Sequence, residues 1–142
     1  KFMVYVIWCF ALTLSNLLVG LLIGVLMQIP LPPTFNIALM LENYFLTTLL
    51  TVLIGTPIAF FAIYGKGYLA PLGFVALTLV FAQIIAATGY GYYFPWSVPG
   101  LFSGAGGEYK AQLNEASYSI LVITSFSGYL ATIFYWKFAD QT

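Results

Sequence analysis

Few side chains in this sequence have the chemistry that catalysis or metal binding requires. The chain has no histidine, which removes the commonest general base and the commonest metal ligand. Its four acidic residues lie outside the long apolar runs rather than within them. Hydrolysis requires a nucleophile paired with a base, or a bound metal ion. We therefore expect no catalytic residue, no cofactor-binding residue and no metal ligand, and we do not expect an enzyme.

Lys66 lies between two glycines, a setting that invites comparison with a phosphate-binding loop. That loop requires Gly-x-x-x-x-Gly-Lys followed by Ser or Thr. Phe60 stands where the first glycine should be and Gly67 where the hydroxyl residue should be, so the pattern fails twice. The four lysines are balanced by four acids, and the chain lacks the basic patch of a nucleic-acid-binding protein. We predict a short turn at Lys66, no nucleotide site and no nucleic-acid partner.

Four residues inside apolar runs could have a specific role. Asn16 and Gln83 are polar, and polar side chains in lipid usually face another helix or a cavity. They either line a substrate path or form hydrogen bonds between helices, and the second use is favoured. Gly20 and Gly24 lie one turn apart, which lets another helix or subunit approach closely. The alternative is that glycine is simply common in membrane helices.

The composition places the chain in a membrane. Hydrophobic residues make up 62% and charged residues 6%, whereas soluble domains carry about 25% charged residues. About 20 apolar residues cross the hydrocarbon core as a helix, and the chain supplies that length four times. We predict an all-α membrane protein that forms a single transmembrane domain. The predicted spans cover about 2–28, 44–64, 68–88 and 116–136, and Asn114 is the expected N-cap of the last.

An aromatic, proline-interrupted segment at about 92–107 separates the third and fourth spans. It is too short to cross a bilayer and too apolar for an ordinary solvated loop. Tyr and Trp concentrate at the lipid–water boundary, and broken backbone at membrane depth requires cover from protein or from a water-filled cavity. We predict a re-entrant or interfacial segment and interpret Phe94, Pro95, Trp96 and Pro99 as an outer gate. The alternative is an anchoring loop.

The lysines predict the orientation, since lysine and arginine favour cytoplasmic loops. Four spans place Lys1, Lys66 and Lys137 on one side, and Lys110 on the other together with Glu42, Glu108 and Glu115. We expect the first side, which includes both ends of the chain, to be cytoplasmic.

Several stretches resemble a known family of transport proteins. They are GKGYLAPLGF at 65–74, FAQIIAA at 81–87, GYYFPWSVPG at 91–100 and FYWKFADQ at 134–141. These stretches resemble permease subunits of bacterial type-2 ABC exporters, in the branch linked with bacitracin and lantibiotic resistance. The resemblance covers the third and fourth spans. Over the first two spans it rests mainly on hydropathy.

The resemblance implies a six-span permease, of which this chain would supply the third to sixth spans. Because the chain starts with Lys1, we expect it to be a piece of a longer protein. The implied function is the membrane half of an ATP-driven exporter of peptide antibiotics or similar amphipathic substrates. Its partners would be a separate ATP-binding subunit, a second permease copy and the lipid of the bacterial cytoplasmic membrane. The alternatives are a non-transporting assembly or sensor subunit and an ion-coupled carrier, which the lack of charge inside the spans disfavours.

Overall fold

The computed structural model describes residues 2–30, 35–65, 67–105 and 113–138. These residues contain helices and no strands, and four of the helical stretches are long and apolar enough to span a membrane. The helices are α1 (Phe2–Leu26), α2 (Ile37–Ile54), α3 (Thr56–Tyr64), α4 (Leu69–Ala87), α5 (Val98–Phe102) and α6 (Glu115–Phe138), with a 3₁₀ turn at Gly91–Tyr93. The predicted all-α membrane fold with four spans is confirmed. Lys66 and the stretch 106–112, including Glu108 and Lys110, lie outside the described residues.

The second span begins earlier than the sequence predicted. α2 starts at Ile37 because the Asn36 side chain accepts hydrogen bonds from the backbone N–H groups of the first turn, 2.9 Å to Ala38 and 3.4 Å to Leu39. Glu42 therefore lies on the helix rather than before it. The predicted cap of the last span is confirmed, since Asn114 Oδ1 accepts the Ser117 N–H at 3.0 Å.

This second span is broken in its middle, where α2 ends and α3 begins. Pro57 lacks an N–H and leaves the carbonyl of Leu53 without its helical donor. The Thr56 hydroxyl lies 2.9 Å from that carbonyl oxygen and replaces the missing donor in part, since its one proton is shared with a second acceptor. The same hydroxyl lies 2.8 Å from the Ser125 carbonyl oxygen on α6, so the break is tied to the neighbouring helix.

α3 and α6 run in the same direction and make the closest helix contact of the described chain. A Cβ atom added to Gly128 would lie 2.6 Å from Pro57 Cα, closer than real Cβ atoms approach other atoms. Further along both helices, the Phe60 and Tyr135 rings meet edge to face at 6.0 Å. A glycine on α6 is therefore required for the proline side of the break to pack this closely.

α1 lies at the edge of the bundle and packs antiparallel to α2. The Phe10 and Phe45 rings are 5.7 Å apart, and the Tyr5 hydroxyl lies 3.3 Å from the Val52 carbonyl oxygen near the break. Gly20 and Gly24 have no neighbour among the described residues, since a Cβ added to either would meet no atom within 4 Å. The close contact predicted for these glycines is therefore not made within the described chain.

Candidate functional site

Residues 91–105, here called the re-entrant segment, fold back among the helices instead of crossing the membrane. Gly91 lets the chain pass close to the end of α4, because a Cβ added there would lie 2.9 Å from Ala86 Cα. Gly89, just before the segment, and Gly104, near its end, have φ angles of 83° and 88°, a backbone region that residues other than glycine rarely adopt. Glycines thus allow the chain to change direction at the start and near the end of the segment.

The middle of the segment is buried between α2 and α6. Val98 packs with Ile54 and Leu121 in a core cluster, and both Val98 and Leu121 are fully buried. Ser97 closes the turn before α5, since its hydroxyl lies within hydrogen-bonding distance of the carbonyl oxygens of Gly91 and, at 2.7 Å, of Phe94. Apolar burial and internal hydrogen bonds thus compensate the broken backbone, as a location at membrane depth requires.

The four residues interpreted as a gate lie together on this segment, and Trp96 reaches deep into the bundle. Pro95 and Pro99 are buried, and Phe94 and Trp96 are half-buried. The Trp96 ring meets the Phe74 ring of α4 edge to face at 5.5 Å. Phe74 precedes the end of α4 at Ala87 by 13 residues, about 20 Å along the helix at about 1.5 Å per residue.

The indole nitrogen of Trp96 is buried without a hydrogen-bond partner among the described residues. Buried polar groups are normally paired, since an unpaired buried donor costs about 1–3 kcal/mol. The ring is instead held by aromatic contacts, which include Phe94 at 5.6 Å between ring centroids. Trp96 is thus seated by its apolar surface.

One cavity, here called the inner cavity, lies between the helix break, α4 and the re-entrant segment. Its volume is about 370 Å³, and its walls include Tyr5, Gly55, Gln83 and Trp96. Gln83 makes no hydrogen bond within the described chain, so its amide is available to a cavity occupant. The interhelical hydrogen bond favoured for Gln83 is therefore not made within the described chain, and its place on a substrate path stays a prediction. Asn16 lines neither this cavity nor the second one, and its amide donates to the Leu12 carbonyl oxygen of its own helix at 2.9 Å.

A second cavity, here called the outer cavity, lies between α1, the first half of α2 and the end of the re-entrant segment. Its volume is about 700 Å³. Seven of the ten residues that line it carry a polar side chain, although more of the lining surface is apolar than polar. The ten residues are Thr13, Met40, Asn43, Tyr44, Thr47, Thr48, Thr51, Ser103, Gly104 and Ala105. Thr51 and Ala105 line both cavities, so the two lie side by side.

Neither cavity carries the residues of a hydrolytic or metal centre. No charged residue is among those that line them. The described residues contain no cluster of three or more His, Cys, Asp or Glu side chains that could hold a metal ion. The arrangement can enclose and release a molecule with apolar and hydrogen-bonding surface, but it offers no nucleophile–base pair.

Comparisons with models of protein families, with curated proteins and with solved structures find no match for this chain.

Proposed function

We propose that the chain is the membrane-spanning permease subunit of an ATP-driven exporter. The observation that supports this most directly is a re-entrant segment that forms a wall of two neighbouring cavities inside a four-span bundle. Broken backbone at membrane depth is typical of proteins that pass a substrate through a water-accessible path. The resemblance to type-2 ABC permeases supports the same function.

In the proposed mechanism, a separate ATP-binding subunit supplies the energy and this chain supplies the path. ATP binding in that partner drives rigid-body movement of two permease copies, which opens the path outward. The re-entrant segment acts as the gate, and the break at Gly55 is the joint at which α2 can tilt relative to α3. The substrate is a peptide antibiotic or a similar amphipathic molecule, exported from the bacterial cytoplasmic membrane with both ends of this chain in the cytoplasm.

Co-purification and transport in reconstituted vesicles test this proposal. An affinity tag on this chain should retain an ATP-binding subunit from its native membrane. Proteoliposomes that hold both should move a fluorescently labelled amphipathic peptide in an ATP-dependent way, and the chain alone should hydrolyse no ATP. The matched controls are vesicles with the ATP-binding subunit only and vesicles supplied with a non-hydrolysable ATP analogue.

The results separate the proposal from its alternatives. A retained ATP-binding subunit without transport of any amphipathic peptide tested would favour a non-transporting membrane subunit. Transport driven by a proton or sodium gradient without ATP would favour an ion-coupled carrier. ATP hydrolysis by this chain in the absence of other subunits would overturn the proposal altogether.

A further inference from the structure

The outer cavity is lined by hydroxyl groups whose protons are engaged within the protein. Four threonines line it, and the hydroxyl of each donates to the carbonyl oxygen four residues earlier on its own helix. The bonds are Thr13 to Cys9 at 2.9 Å, Thr47 to Asn43 at 2.7 Å, Thr48 to Tyr44 at 2.7 Å and Thr51 to Thr47 at 2.8 Å. The fifth hydroxyl of the lining, that of Ser103, donates to the Gly100 carbonyl oxygen at 2.8 Å.

These bonds decide what the cavity can recognise. A hydroxyl has one proton to donate and two lone pairs that accept. Because all five protons are engaged within the protein, the five oxygens can offer an occupant mainly acceptor lone pairs. Asn43 adds an amide that both donates and accepts, and Tyr44 adds a phenol. An occupant that satisfies this lining has to bring several N–H or O–H donors on one compact group.

The surrounding charges favour a cation. Glu42 precedes Asn43 on α2 and is exposed at the same end of the bundle as the outer cavity. Glu115 begins α6 at that end, and the sequence between α5 and α6 adds Glu108 and one lysine. No lysine lines the cavity within the described chain. A positive group is therefore attracted to this end, and it meets no competing cation among the described residues of the lining.

We infer that the outer cavity binds the primary ammonium group of an amphiphile, with the threonine hydroxyls as acceptors and the apolar part of the molecule in lipid. A primary ammonium has three N–H donors on one compact centre, which matches an array of acceptors. This inference rests on the proposed function in that such an amphiphile would be the exporter's substrate. Binding itself requires neither ATP nor a partner.

Binding is tested with the full-length protein in lipid nanodiscs and two water-soluble probes, n-hexylammonium and n-hexyltrimethylammonium. Both carry one positive charge and the same chain, but only the first has N–H donors. Ligand-observed NMR, with empty nanodiscs as the blank, measures the two dissociation constants. We expect n-hexylammonium to bind about tenfold more tightly, because hydrogen bonds to a charged group are stronger than those to a neutral one.

Substitution of the hydroxyls locates the site. Thr47→Val and Thr51→Val keep the side-chain shape and remove the acceptor, and each should weaken n-hexylammonium binding about fivefold with little change for the trimethyl probe. Thr124→Val is the matched control, since the Thr124 hydroxyl makes the same kind of bond to Ile120 at 2.8 Å but lies on α6 outside both cavities.

Two results would overturn the inference. One is equal binding of the two probes, which would show that only charge and chain are recognised. The other is binding that Thr47→Val and Thr51→Val leave unchanged, which would mean that the cavity holds water or lipid only. Both results are independent of transport, so failure of the proposed exporter function in vesicles would leave the binding measurement intact.

Discussion

The contact between Gly128 and Pro57 makes a quantitative prediction about stability. An added Cβ at position 128 would lie 2.6, 2.7 and 2.8 Å from the proline Cα, Cγ and N atoms, and all three belong to a rigid ring or to the backbone. No side-chain rotation can relieve the overlap, so α3 and α6 have to move apart. Overpacking of this kind costs about 1–3 kcal/mol, and we take about 3 kcal/mol because the ring cannot yield.

The alanine also stabilises the helix itself, and this gain in the free energy of unfolding has to be subtracted from the cost of overpacking. Alanine is favoured over glycine inside a helix by about 0.5–1 kcal/mol. Gly128→Ala should therefore lower the free energy of unfolding by about 2 kcal/mol, taking the larger cost and the larger gain. Gly20→Ala is the matched control, because an added Cβ there meets no atom within 4 Å and only the gain remains.

The two variants are compared by unfolding in mixed micelles with increasing mole fractions of sodium dodecyl sulfate, followed by circular dichroism and tryptophan fluorescence. A difference of about 3 kcal/mol between Gly20→Ala and Gly128→Ala is expected. The double variant with Pro57→Ala should recover only part of the loss, since it removes Cγ and leaves Cα and N in place. Equal stability of the two single variants would refute the reasoning.

Three further predictions concern the break, the gate and the orientation. Thr56→Val should lower the free energy of unfolding by about 1–3 kcal/mol in the same assay, because it removes the hydrogen bond from the Thr56 hydroxyl to the Ser125 carbonyl oxygen. Thr56→Ser keeps the hydroxyl and should be about as stable as the wild type. In the reconstituted vesicles, Trp96→Ala should reduce export or uncouple ATP hydrolysis from export, while the amount of folded protein stays normal. Unchanged export per molecule would instead identify the segment as an anchoring loop. A cysteine at position 106, in a chain without other cysteines, should react with a membrane-impermeant thiol reagent added to intact cells. A cysteine at Gly67 should not react, and the reverse labelling would overturn the predicted orientation.

The number and type of the spans could be predicted because hydropathy alone decides them. The start of the second span, predicted at about residue 44, was wrong by seven residues, because hydropathy does not locate a helix cap. The structure shows that the helix begins at Ile37, capped by the Asn36 side chain, and that Glu42 lies on its second turn. A capping residue eight positions ahead of the predicted start was the available signal.

Helix packing was harder to predict, since spacing alone does not identify a partner. Gly20-x-x-x-Gly24 has the well-known spacing, yet both glycines lie on a helix at the edge of the described bundle with open space beside them. Gly128 makes the close contact because Pro57 lies against it, and that pairing depends on the three-dimensional arrangement. The small residue Ser125, one turn before Gly128 on the same buried face of α6, was the only local sign.

The sequence predicted which residues form the candidate site, but not how far the segment reaches into the helix bundle. The prolines and aromatics at 94–99 indicated a non-spanning segment, and the structure confirms that it does not cross the bundle. The contact of Trp96 with Phe74 and the packing of Val98 with Ile54 and Leu121 join residues far apart in the sequence, which no local pattern reveals. The outer cavity was missed because its threonines read individually as ordinary helix residues, and only their shared face and their engaged protons give the cavity its character.

The stability prediction for Gly128 also bears on the proposed mechanism. The packed face of α6 carries Leu121, which holds the re-entrant segment through Val98, and Gly128, which holds the proline side of the break. A shift of α6 away from Pro57 should therefore also loosen the contact of Val98 with Leu121. If the segment is the gate, Gly128→Ala should alter export and Gly20→Ala should not, when both are measured at the same substrate concentration. This difference should hold even when both variants are fully folded in the vesicles. Normal export by folded Gly128→Ala would separate the break from the gate, and the segment would then have to open without movement of α6.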